Sequence, residues 1–318
     1  MAGKHPPEVS VVIPSTGRAS LGTALRSVLA QVDCVVDPIV VFDAEAVPPG
    51  TRTDRVRTLA TGGVKGAAAA RNMGVDAARG EFVAFLDDDD EWLPQKLTTQ
   101  LARAREIVSR GRQPVIGSRV LQRHARAEHL TGALPRTLIS EREAPQDYLF
   151  RGRVVTAARP LFPTSTIVTT VELARRVPWR TALPRHQDWQ WLIEVGLAPD
   201  VEFHQVEAAT AIYTVGSPKS ISARPDWRSS LTWVQSWRED WNPHSYVDFL
   251  AAQVLRYAFQ SRQVSGVRDV LREIIAWRTA PSWGSVASGL LGLAPRSWAE
   301  RAALGIGELT HPYENSVR

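Results

Sequence analysis

Phe82-Val83-Ala84-Phe85-Leu86-Asp87-Asp88-Asp89-Asp90-Glu91-Trp92 is the stretch on which the fold turns. Five apolar residues in succession predict a buried strand, and four carboxylates follow it without a spacer. Like charges this close do not all ionise cheaply unless water or a cation offsets their repulsion. Taken alone, the run reads as a solvated acidic turn or as a helix N-cap near the positive end of a helix dipole. Its position directly after a buried strand favours a third reading. Hard cations such as Mg²⁺ and Mn²⁺ take oxygen ligands, commonly one or two carboxylates completed by substrate phosphates and water.

Outward from this point the first ~110 residues alternate strand and helix patterns, the sequence form of an α/β domain with a parallel sheet under crossover helices. Val9-Ser10-Val11-Val12-Ile13 predicts a strand closed by Pro14, and Leu21, Leu25, Val28 and Leu29 recur at helical spacing. Ile39-Val40-Val41-Phe42 predicts a second strand running into Asp43, and Gly66 to Ala78 is an Ala-rich helical stretch broken at Gly80. In such sheets ligands bind at the carboxyl ends of strands. Asp43 and Asp87 both stand at such ends.

Beyond residue 110 the pattern loosens. Strand-like pieces at Pro114 to Val120 and Ser165 to Thr169, with a helical piece around Asp188 to Val195, suggest that residues 111–222 complete the domain begun by 1–110. Residues 223–318 read as a helical extension rich in Trp, with Trp233, Trp237 and Trp241 on one helical face. Packing is the ordinary reason for such a stripe. A peripheral membrane contact involving Leu290, Leu291, Leu293 and Arg296, or a homodimer contact, is the alternative.

Composition narrows the classes. A chain of 318 residues with 44% hydrophobic content can bury a sizeable core, which excludes wholesale disorder. The formal charge of +5 is spread along the chain, so it attracts anions without forming the basic stripe that nucleic-acid binding requires. Cys34 is the single cysteine, which excludes an internal disulfide and fits a cytoplasmic setting. No window approaches the ~18 uninterrupted apolar residues of a membrane span, so the expected location is cytoplasmic, at most peripheral to the inner membrane surface.

Gly66-Ala67-Ala68-Ala69-Ala70-Arg71-Asn72-Met73-Gly74-Val75 followed by Ala78 to Trp92 closely resembles the donor-site signature of family 2 inverting glycosyltransferases. Val11-Val12-Ile13-Pro14-Ser15-Thr16-Gly17-Arg18 is similar to that family's first strand and loop. The resemblance covers roughly residues 9 to 97. It implies a GT-A fold, a doubly wound, Rossmann-like, mainly parallel sheet, here with a helical C-terminal extension. It also implies a nucleoside-diphosphate sugar donor held near Pro14, Ser15, Thr16, Arg18, Asp43, Arg71, Asp87 and Asp88. Asp89, with Asp87, would ligate Mn²⁺ or Mg²⁺; the register Asp88/Asp90 stays open. The family usually has two acids after its second strand, and here Val41-Phe42-Asp43-Ala44-Glu45-Ala46 offers Asp43. Lys65 could approach phosphate at the following helix N-terminus.

Inverting transfer needs one general base to take the acceptor hydroxyl proton. Pro184-Arg185-His186-Gln187-Asp188-Trp189 resembles the family's acceptor-side motif and makes Asp188 the base, with Gln187 where a second acid often stands. Asp188 could instead only cap its helix. Pro163-Thr164-Ser165-Thr166-Ile167-Val168 is similar to a strand lining the acceptor cavity, with no catalytic role assigned to Thr164 or Ser165. The expected activity is metal-dependent inverting transfer from a uridine, or secondarily thymidine, diphosphate sugar to a glycan, lipid-linked or small-molecule acceptor. A sugar-phosphate nucleotidyltransferase and a non-catalytic nucleotide-sugar-binding protein remain the alternatives.

Overall fold

The computed structural model describes residues 7–51, 54–124, 130, 132–152, 160–216 and 224–294. The chain divides into two compact units. Residues 1–123, 138–142 and 162–214 form the first, and residues 124–137, 143–161 and 215–318 the second.

In chain order the elements are β1 (Val9–Ser15), α1 (Leu21–Leu29), β2 (Val36–Phe42), β3 (Arg57–Ala60), α2 (Ala67–Asp76), β4 (Phe82–Phe85), β5 (Glu91–Trp92), α3 (Lys96–Ser109) and β6 (Gln113–His124). Then follow α4 (Pro145–Phe150), which belongs to the second unit, β7 (Val168–Thr170), α5 (Val171–Arg176), α6 (Gln187–Gly196) and β8 (Val201–Val215). The sheet order is β3-β2-β1-β4-β7-β6-β8-β5. β3, β2, β1 and β4 are parallel, β7 runs antiparallel to both β4 and β6, and β5 antiparallel to β8. The order turns back beside β1, where the α/β rule places a ligand crevice.

β1 is buried along its whole length, and it continues through Pro14 to Ser15 instead of closing at the proline. The ladder to β4 ends at Val12, whereas that to β2 runs on to Ser15, so the N–H that Pro14 lacks has no ladder to break. Helix α2 lies close on β1 at Gly74, where an added Cβ would come within 2.3 Å of Val12 Cγ1. This close contact draws the Ala-rich helix, and Arg71 within it, down onto the sheet.

The second unit continues with α7 (Trp227–Gln235), α8 (Pro243–Phe249), a π-helical stretch Leu250–Leu255, α9 (Arg256–Gln260), α10 (Val264–Ala276) and α11 (Trp283–Leu290). Its core is aromatic. Phe150 of α4 stacks on Trp241 at 5.2 Å and meets Phe249 edge-on at 4.9 Å, and Trp233 meets Phe249 at 5.2 Å. The expected single helical face is not formed, because α7 ends at Gln235 and Trp237 and Trp241 lie in the turns beyond it; all three tryptophans are nevertheless buried, so packing accounts for them. Of the segment expected to lie on a surface, Leu290 and Leu293 are exposed, while Arg296 lies outside the described residues.

Candidate functional site

The four carboxylates after β4 are sorted alternately. Asp88 and Asp90 are buried, Asp87 and Asp89 are half-exposed. Ser15 at the end of β1 donates its hydroxyl to Asp88 Oδ2 at 2.6 Å. Asp90 accepts the Ser165 hydroxyl on Oδ2 at 2.5 Å and the Thr214 N–H on Oδ1 at 2.7 Å. Asp87 N–H donates to Ser165 Oγ at 3.1 Å, and Thr214 Oγ1 donates to the Asp89 carbonyl at 2.6 Å. Ser165, in a 3-10 turn (Thr164–Thr166) ahead of β7 where the sequence suggested strand, and Thr214 near the end of β8 thus clamp the loop from two sides. Burial, reinforced by the Asp87 charge, holds the Asp90 carboxyl well above the usual carboxylate range. The sequence reading gave Ser165 no catalytic role, and its role here is positional. A buried serine pinned between an amide and a carboxylate has no periodic signal that could have announced it.

Two arginines face the loop. Arg71 is buried and donates from Nη2 to Asp87 Oδ1 at 2.6 Å, with its guanidinium 4.7 Å above the Trp179 ring. Its Nε is buried without a protein acceptor. Trp179 is fixed in turn by stacking on Trp191 at 5.0 Å, by an edge contact with Phe85 at 5.2 Å, and by a two-way amide clasp with Asn72 at 2.8 and 2.9 Å. Arg18, on the exposed loop after β1, reaches Asp89 Oδ2 at 3.0 Å and Asp88 Oδ1 at 3.5 Å. Burial pushes the Asp89 carboxyl up, as do Asp87 and Asp88, while Arg18 pulls it down.

The remaining expected donor residues fall around the same strand ends. Pro14 and Ser15 end β1 as buried residues, and Thr16 is exposed at the start of its loop. Asp43 follows β2 and accepts the Lys65 N–H at 2.7 Å and the Gly66 N–H at 3.0 and 3.1 Å. It therefore organises the turn into α2, in which Gly66 takes a φ of +88° that a side chain would strain. The Lys65 side chain is exposed.

Asp188 sits in the first turn of α6. His186 before it adopts a left-handed φ of 61° and lies flat against Trp189 at 4.7 Å. Desolvation raises the Asp188 pKa, opposed by hydrogen bonding from the Trp189 amide and by the Arg71 charge, and reinforced by Asp87. Asp188, about a hundred residues further along the chain, is thus brought within electrostatic reach of Asp87 and Arg71. Among the described residues no group of three or more His, Cys, Asp or Glu side chains forms a ready-made metal cage. The donor set still fits a hard divalent cation that keeps water and takes phosphate oxygens, because Asp87 and Asp89 are partly solvated carboxylates with lone pairs beyond those facing the arginines. The orphaned Arg71 Nε beside Asp87 suits an anionic ligand.

Comparison with known proteins bears on the family and the fold. Residues 10–149 match the family described as Glycosyl transferase family 2. The amylovoran biosynthesis glycosyltransferase AmsB of Erwinia amylovora is 27% identical over 201 residues, 58% of this chain and 62% of that protein. The Escherichia coli UDP-Glc:alpha-D-GlcNAc-diphosphoundecaprenol beta-1,3-glucosyltransferase WfgD is 33% identical over 102 residues, 30% of this chain and 40% of that protein. The match thus spans less than two thirds of either relative. Among solved structures, S. aureus TarS 1-349 in complex with UDP-GlcNAc superposes with a TM-score of 0.53 at 15% identity, covering 94% of this chain and 89% of that one. The likeness establishes the GT-A fold with its helical C-terminal part. Residues 10–149, a little under half of the chain, are thus similar to glycosyl transferase family 2.

Proposed function

We propose that this chain is an inverting, metal-dependent glycosyltransferase that moves a sugar from a nucleoside-diphosphate donor to an acceptor hydroxyl by single displacement. The observation that carries the reading is the sorting of the acidic loop, which presents Asp87 beside Arg71 and within electrostatic reach of Asp188, and Asp89 beside Arg18. The diphosphate lies against Arg71 and Arg18, whose charges offset its own. Asp87 and Asp89 would hold Mn²⁺ or Mg²⁺ there, a Lewis acid toward the leaving diphosphate. Asp188 accepts the proton of the attacking hydroxyl, and desolvation strengthens it as a base by raising its affinity for that proton.

Uridine diphosphate is the first donor base to test, since both the TarS complex and the name of WfgD carry UDP. A polysaccharide or lipid-linked acceptor is supported by the names of AmsB and WfgD, which act in amylovoran biosynthesis and on a diphosphoundecaprenol. Titration of the chain with UDP in the presence and absence of Mn²⁺ tests the donor half. The expected result is at least about tenfold tighter binding with metal, and loss of that gain in Asp89→Asn. Equal affinity with and without metal overturns the metal-dependent reading. Release of pyrophosphate from a nucleoside triphosphate and a sugar phosphate would instead support nucleotidyl transfer.

A further inference from the structure

Helix α10 turns Gly266 and Val270 into the second unit and leaves another face uncovered. At helical periodicity Val264, Leu271 and Ile275 fall on one stripe, and they are 84%, 43% and 73% exposed. Arg268 lies within that stripe, Arg272 flanks it, and Arg278 follows just beyond the helix end. All three are exposed. The acids of the helix are turned elsewhere. Glu273 accepts the Tyr246 hydroxyl at 3.0 Å and pairs with Arg238 at 3.5 Å, and Asp269 sits on the flank beyond Arg268, 3.3 Å from its Nε. The outcome is an apolar ridge with guanidinium groups along it and no carboxylate on its crest.

We propose that this face of α10 docks on a bilayer surface carrying anionic headgroups. Val264, Leu271 and Ile275 enter the boundary between headgroups and acyl chains, while Arg268, Arg272 and Arg278 stay at headgroup depth and meet phosphate. Charge argues for this occupant over a second copy of the chain. A two-fold contact would bring the face against itself and set arginines opposite arginines. A ridge of three aliphatic side chains is also small beside the ~800 Å² per partner of a stable protein interface. Further along the same unit Trp283, Leu290 and Leu293 are 89%, 48% and 64% exposed, and Trp favours the water–lipid boundary. The assignment does not rest on the proposed transfer reaction.

Co-sedimentation of the full chain with phosphatidylcholine vesicles, with and without one part in three of phosphatidylglycerol (roughly the anionic share of a charged leaflet), tests the assignment without any sugar donor. Binding is expected to the anionic vesicles and to weaken with added salt. The double variant Leu271→Asp/Ile275→Asp should lower partitioning by about tenfold or more. Arg268→Gln/Arg272→Gln should lower it by about fivefold per charge removed. Both should keep the wild-type circular dichroism and melting temperature, because the side chains are exposed. Failure to bind anionic vesicles, or wild-type partitioning by both variants, overturns the proposal. A wild-type dimer that Leu271→Asp/Ile275→Asp turns into a monomer also overturns it, since the face would then be a protein interface.

Discussion

The loop after β4 and the head of α6 use aspartates in opposite ways. The loop spends half its acids on structure: Asp88 and Asp90 are buried and take hydrogen bonds from Ser15, Ser165 and Thr214, which leaves Asp87 and Asp89 at the surface. At α6, Asp188 draws its stabilisation from the first-turn amides and from the charge of Arg71, against a desolvation that outweighs both. One region binds charge by crowding carboxylates and bracing them. Desolvation raises the carboxyl pKa in both, but Asp188 is a single carboxylate held by first-turn amides and the Arg71 charge rather than by side-chain hydroxyls. On the proposed function, this difference would serve two tasks, holding a charged donor and removing a proton.

The sharpest way to break this division is Asp188→Asn, which keeps size and hydrogen-bonding capacity and removes basicity. Turnover of a UDP-sugar with an acceptor should fall by about 10²- to 10⁴-fold, the usual contribution of a general base. Mn²⁺-dependent UDP binding should stay at wild-type strength. If binding falls as far as turnover does, Asp188 belongs to the donor side and the two regions are one.

The bracing of the loop predicts the next largest effect. Asp90→Ala removes the acceptor for both the Ser165 hydroxyl and the Thr214 N–H, leaving buried donors unpaired. It should cost about 2–3 kcal/mol in denaturant unfolding. Asp89→Asn, at a half-exposed position, should stay within about 0.5 kcal/mol of wild type in the same experiment. Equal costs for the two would mean that the alternation of burial does not separate structural from ligand-facing acids.

Sequence made some of these assignments visible and hid others, for physical reasons. β1, β2, β4 and α2 were legible because short apolar runs and an Ala-rich helix have strong local periodicity; the positions of Asp43 and Asp87 just after β2 and β4, and of Asp188 in the first turn of α6, could be read with them, whereas their roles belong to the proposed function. β8 was not anticipated. Its sequence mixes Glu202, His204 and Glu207 with Ala208 and Ala209, and Glu202 is buried only because Arg110 and Arg112 meet its carboxylate at 2.7 and 3.3 Å. Thr214 at its end therefore could not be connected to Asp90, 124 residues away. Ser165, Asn72 and Trp179 were hidden for the same reason, since their roles depend on partners that only the folded sheet brings near. The resemblance already ranked Asp89 with Asp87, and what the sequence could not supply is the burial of Asp88 and Asp90 against Ser15, Ser165 and Thr214, contacts that lie far outside the motif.

The smallest effect tests the α6 side through stability. Folding raises the Asp188 pKa above its ordinary value of 3.8, so across the interval between the two values the native state binds more protons than the unfolded chain. Stability therefore declines as pH rises through that interval, and above it the ionised carboxylate remains a net cost of folding. Asp188→Asn removes this cost. The variant that loses turnover should melt slightly higher than wild type at neutral pH, and the gain should shrink as pH falls and vanish below 3.8, where Asp188 is protonated in both states. A lower melting temperature at neutral pH would reverse the sign of the argument. In that case the Trp189 amide and Arg71 would outweigh desolvation, and Asp188 would be a well-stabilised helix cap rather than a base held ready for an acceptor proton.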